Sequence, residues 1–107
     1  MKPGDRVAIW LYDREAKLFL GLTGERPTSR FAVIGKIVDP AGSPIGPWVE
    51  IEHVEERRPE AEGKTKKVLW KFKQTTCLIR WDYMISGQLL AEAEEPEDPR
   101  PHPGQYL

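Results

Sequence analysis

The chain has 107 residues, the length of one domain, and its 39% hydrophobic and 31% charged residues are the balance of a folded globular protein. A formal net charge of −1 excludes a strongly basic domain of the kind that announces nucleic-acid binding. The longest apolar stretch, Val7 to Tyr12, falls far short of the roughly 20 residues a membrane-spanning helix requires, so no membrane partner is expected.

Turn chemistry at Pro3-Gly4-Asp5 launches the first predicted strand, over 5–12. Val7, Ile9 and Leu11 fall on one face, and Ala8, Trp10 and Tyr12 on the other. Asp13 to Ala16 is a polar break, and Lys17 to Leu22 then alternates with Leu18, Leu20 and Leu22 on one face, predicting a second strand. Gly24 and Pro27 interrupt it. The run Arg30 to Val38 is apolar on both faces, as a central strand covered on both sides would be, and predicts a strand over 30–39. Asp39 to Pro47 holds three prolines and two glycines, a density that only a structured loop tolerates.

Two further strands are predicted over 48–56 and 66–74, joined by the polar segment Arg57 to Thr65. Residues 76–80, rich in β-branched side chains, read as another strand. Trp81 to Leu90 reads as a turn or a single helical turn, with a short strand up to Gly87. No helix of normal length is expected anywhere. From Glu92 onward, prolines at 96, 99, 101 and 103 and the lack of an apolar period give an extended or disordered tail. The division expected is a small β-barrel domain over 1–91 and an acidic, proline-rich tail over 92–107. The fold class expected is an all-β, SH3-like or Sm-like barrel of five to six antiparallel strands.

Charge is unevenly divided. Residues 92–107 carry five acids and one base, a net of −4, and residues 1–91 a net of +3. A tail of that sign can neutralise the body by folding against it. The start, Met1 to Asp5, has no apolar core after its lysine, so no signal peptide is expected. With Cys77 as the single cysteine, the expected compartment is the reducing cytoplasm.

The densest pattern is the pair of charged strands Trp48 to Glu55 and Lys67 to Lys73. An antiparallel register that sets Glu50 opposite Lys73, Glu52 opposite Lys71, Ile51 opposite Phe72 and His53 opposite Trp70 makes every pair chemically sensible. Lys66, Lys67, Lys71 and Lys73 then neutralise the acidic strand beside them. The functional alternative is a nucleic-acid stripe of lysines interleaved with aromatics. Catalytic machinery is not expected. His53 and His102 have no partners at metal-ligand spacing, Cys77 lies mid-strand as a buried thiol, and no glycine-rich phosphate loop is present. No cofactor or metal is therefore expected.

Two families supply resemblances. Over Arg30 to Ile85, about half the chain, Val33-Ile34-Gly35-Lys36-Ile37-Val38-Asp39 resembles the bent second strand of the Sm-like barrel. Leu78-Ile79-Arg80-Trp81-Asp82-Tyr83-Met84-Ile85 resembles its closing segment. That resemblance implies an RNA-contacting role for Arg80. Trp81 stands where the family has glycine, and no Met-Asn pair precedes the third strand. Arg26-Pro27-Thr28-Ser29-Arg30 and Ser43-Pro44-Ile45-Gly46 resemble the two motifs by which PilZ domains hold a cyclic dinucleotide, with alanine at position 41 in place of Asp or Asn.

The leading expectation is a non-catalytic interaction module that binds itself or another protein. The alternatives are an Sm-like RNA or nucleic-acid binder and, third, a PilZ-like receptor. Because one barrel interior cannot hide both faces of the apolar strands, a homo-oligomer is expected, most simply a two-fold dimer, with one or more of Trp10, Trp48 and Ile34 at the contact.

Overall fold

Alternation builds the sheet. β1 (Arg6–Leu11), β2 (Arg30–Asp39), β3 (Trp48–Pro59), β4 (Thr65–Leu78) and β5 (Met84–Leu89) form one antiparallel sheet in the order β4-β3-β2-β1-β5. The structure is a computed structural model describing residues 2–22, 28–39, 44–92 and 94–98, with side chains of all of these except 72–74. The all-β small-barrel class is what the sheet shows. It is not closed: among the described residues β4 and β5 are its two edges.

Both faces of the central strands are buried. On one face Val7, Ile9 and Leu11 of β1 meet Phe31, Val33 and Ile37 of β2 and Val49, Ile51 and Val54 of β3. Ala16 and Ile79 complete this main core. On the other face Ala8, Trp10, Ala32, Ile34 and Leu90 form a second cluster, with Ile85 packed against it. The second face expected to need a partner is thus covered within the chain.

The second predicted strand is instead a helix, α1 (Asp13–Leu20). What reads as a polar break is its first turn, where Asp13 and Glu15 complement the helix dipole and Asp13 Oδ2 pairs with Lys17 Nζ at 3.0 Å. Ala16 is buried and Phe19 and Leu20 pack on the main core, a spacing of three and four, whereas Leu18 of the alternating set stays exposed. Gly21, at φ 70°, ends the helix in the left-handed conformation. Asp13 Oδ1 accepts the Ser29 N–H at 2.9 Å and ties α1 to the start of β2.

β1 and β2 match their predicted spans closely. The strands predicted at 66–74 and 76–80 are one strand, β4, and the reading of Trp81 to Leu90 resolves into a 3₁₀ turn, Trp81–Tyr83, followed by β5 paired with β1. The β3–β4 register differs from the expected one. It sets His53 opposite Lys71 and Val54 opposite Trp70, then, beyond an irregularity, Ile51 opposite Thr75 and Glu50 opposite Thr76. The closing turn decides this. Gly63 (φ 74°) and Glu62 (φ 66°) turn the chain and bring Pro59 opposite Thr65. Two more residues are then absorbed where Phe72, Lys73 and Gln74 face Glu52 alone. The acids of β3 find their bases on the other side: Glu50 lies opposite Lys36 of β2, and Glu52 pairs with Arg6 of β1 at 3.2 Å. The pairing of Glu50 and Glu52 with Lys73 and Lys71 is therefore corrected. No described helix is long and apolar enough to cross a membrane.

Candidate functional site

The lysines of β4 do not form a free stripe. Lys67 lies opposite Arg57 and Lys66 opposite Arg58, like charges across the ladder. Lys67 is neutralised instead by Glu55, at 2.8 Å, and by Glu95 of the tail, at 2.9 Å. The hydrogen bonds Lys67 donates to those two carboxylates raise its pKa above the ordinary lysine value. Lys66 and Lys71 are exposed on an edge strand, where lysines discourage pairing with another sheet. The Lys73 side chain lies outside the described residues. Arg80 is held locally, with Nε 2.9 Å and Nη2 3.1 Å from the two Asp82 oxygens and its guanidinium over the Tyr83 ring.

Of the PilZ-like positions, Arg30 pairs with Asp98, while Arg26 and Ser43 lie outside the described residues, as does His102. His53 is half-buried opposite Ile34 and Lys71, and burial lowers its pKa despite the Glu52 and Glu55 charges. Cys77 packs against the main core, and burial raises its thiol pKa, away from reactive thiolate. No cluster of His, Cys, Asp or Glu suited to a metal ion occurs among the described residues.

Two surfaces gather chemistry. The first is at one end of the sheet. Trp48 begins β3 opposite Asp39 and Leu78, and the Trp81 N–H donates to the Ile45 carbonyl at 2.8 Å, so the paired chain extends beyond the ladder. Val38, Ile45, Trp48 and Trp81 all fall at this end, and each is 39–50% exposed. Gly46 permits the arrangement, because an added Cβ there would collide with the Ile79 carbonyl. Of the three expected contact residues, Trp48 lies here, whereas Trp10 and Ile34 are fully buried in the second cluster.

The second surface is the face of the sheet over that cluster, and the acidic tail lies on it. Each strand contributes one side chain to holding Ala91 and residues 94–98. Arg6 of β1 donates to the Ala91 and Glu94 carbonyls at 3.2 and 2.9 Å. Arg57 of β3 sits 5.1 Å above the Trp10 ring and donates to the Pro96 carbonyl. Gln88 of β5 both donates to and accepts from the Glu97 backbone. Arg30 of β2 pairs with Asp98 at 2.7 Å and Lys67 of β4 with Glu95. Pro96 is buried. The opposite charges of tail and body thus meet.

Sequence reasoning named Lys67 and Trp10 but missed Arg6, Arg30, Arg57 and Gln88 as a set. The charge asymmetry between body and tail was the signal that pointed to them. Behind β3, on the helix side, Glu56 is buried and accepts from Ser29 Oγ at 2.7 Å, Arg58 Nε at 2.7 Å and Trp70 Nε1 at 3.0 Å. Burial alone would raise its pKa, but these bonds outweigh it and hold the carboxyl below its ordinary value. This group anchors the hairpin. No protein-family model, curated protein or solved structure matches the chain.

Proposed function

We propose that the protein is a non-catalytic interaction module that associates with a second copy of itself through the Trp48 end of the sheet. The observation that carries this reading is the gathering of Val38, Ile45, Trp48 and Trp81 at one end, all substantially exposed. Aromatic side chains left at a surface are characteristic of contact centres, and a two-fold pairing of like patches is the simplest closed arrangement. Size exclusion with light scattering on the full chain, at tens of micromolar protein, is expected to give twice the mass of one chain. Trp48→Lys is expected to return it to the monomer. A monomeric mass for the unaltered protein would overturn the reading.

A nucleic-acid-binding role of Sm-like type is the second reading. It is favoured by the bases Arg57, Arg58, Lys66 and Lys67, which the register sets side by side on β3 and β4. Absorbance at 260 nm that co-elutes with the protein and disappears after nuclease treatment would support it; its absence from untreated protein would argue against it.

A further inference from the structure

We propose that the face of the sheet under residues 94–98 is a binding groove for extended, acidic peptide segments, and that this part of the chain's own tail occupies it as an internal ligand. The groove is distinct from the Trp48 end, so the proposal stands independently of self-association.

The contacts show how such a segment is read. Arg6 and Arg57 aim donors at main-chain carbonyls of the tail, and Gln88 brackets the Glu97 backbone as both donor and acceptor. These contacts would serve any extended peptide, because carbonyls and amides recur whatever the side chains. The Gln88 oxygen takes its bond from a backbone N–H, a donor that recurs along an extended peptide and is missing from a nucleic-acid backbone. Arg30 and Lys67 then add the preference for acids, by pairing with Asp98 and Glu95. The floor is apolar and partly small-sided, with Ala8 and Ala32 beside Trp10, so an extended chain can lie close to the sheet.

The tail also fits the part of a replaceable occupant. Glu95, one of its acidic anchors, lies at the open surface, where an ion pair is weak and screened by salt. Open clefts adjoin the tail at Glu92 and at Glu95. One of about 280 Å³ is lined by Glu55, Arg57, Thr65, Lys67 and Glu95. The other, of about 440 Å³, is lined by Arg6, Lys36, Glu52 and Glu92. A peptide entering from outside has room to begin pairing before the tail has left.

The test uses the full chain throughout. A fluorescein-labelled peptide with the sequence of residues 90–98 is titrated against the unaltered protein and against the tail variant Glu95→Gln/Asp98→Asn, with anisotropy as the readout. The weakened internal ligand should let the peptide bind about fivefold or more tightly than it binds the unaltered protein. Raising the salt from about 0.05 to 0.5 M should erase most of that gain. Arg57→Gln added to the tail variant should remove it. A charge-reversed peptide, with lysine at every acidic position, needs no further change to the protein and should not bind the tail variant. Equal binding to the tail variant and the unaltered protein, or equal binding of the charge-reversed peptide, overturns the proposal. Preference for a single-stranded oligonucleotide over the peptide overturns it in favour of nucleic acid. Trp48→Lys should leave peptide binding unchanged even where it abolishes self-association.

Discussion

Gly35 shows how one residue shapes the sheet. β2 shifts register against β3 between Ile34 and Gly35, and a Cβ at Gly35 would meet the Glu50 carbonyl and lie 2.9 Å from Val49 Cγ1. The backbones therefore approach more closely than any side chain allows. Gly35→Ala is expected to cost about 2 kcal/mol in chemical denaturation. Gly87→Ala, where nothing lies within 4 Å of an added Cβ, should stay within about 0.5 kcal/mol of the unaltered protein. The sequence placed this glycine within a strand, but the carbonyl it makes room for belongs to a residue fifteen positions on. Glu56 sets a pH dependence. Its native pKa lies below the ordinary value of 4.5, so as pH falls the unfolded chain takes up the proton first. The stability it contributes is complete above that value and is lost as pH falls through the native one. Glu56→Gln should lower stability at neutral pH by about 2 kcal/mol and flatten the loss measured by thermal unfolding between about pH 5 and 3. His53 acts higher up. Its pKa is depressed, so stability should decline as pH falls below 6.5, and His53→Gln should remove that part of the slope.

At the scale of elements, local pattern served where one face decided the outcome and failed where two periods overlapped. β1 and β2 are apolar on both faces with no helical period, and were legible. Residues 16–22 satisfy a period of two through their leucines and a helical period through Ala16, Phe19 and Leu20. The helix prevails because its apolar side fits the main core and its ends are already capped by charge and by Gly21. Gly21→Ala should destabilise the protein by about 1 kcal/mol in urea denaturation, because the left-handed C-terminal position is strained for any residue with a Cβ. The hairpin register was beyond reach for a different reason. Charge complementarity between Glu50, Glu52 and the β4 lysines is real chemistry, yet Lys36 and Arg6 meet the same need from strands that are distant in sequence. Pairwise reasoning along one hairpin cannot choose between equivalent partners.

At the scale of the molecule, the sheet has two apolar faces and the chain covers both, one in part with α1 and the other with its own C-terminal segment. Adjacent leucines at the end of β5 test this division. Leu90 belongs to the second cluster, and Leu90→Ala should cost about 2–3 kcal/mol by thermal or chemical denaturation, whereas Leu89→Ala, 65% exposed, should be nearly neutral. Similar losses in the two variants would mean that the second face is not a core.

The β character, the central place of the apolar run at 30–39 and the sign of the attraction between tail and body were readable from the chain alone, because apolar pattern and net charge are local or summed properties; the loop expected after Asp39 falls mostly on residues 40–43, outside the described residues. Tertiary structure alone decided that Trp10 and Ile34 are covered rather than presented, that Arg6, Arg30, Arg57 and Gln88 converge on one segment, and that Glu56 is enclosed by three donors. Each of these depends on which strands are neighbours across the sheet. That order is selected by the burial of two faces at once, a constraint that no single stretch of chain contains.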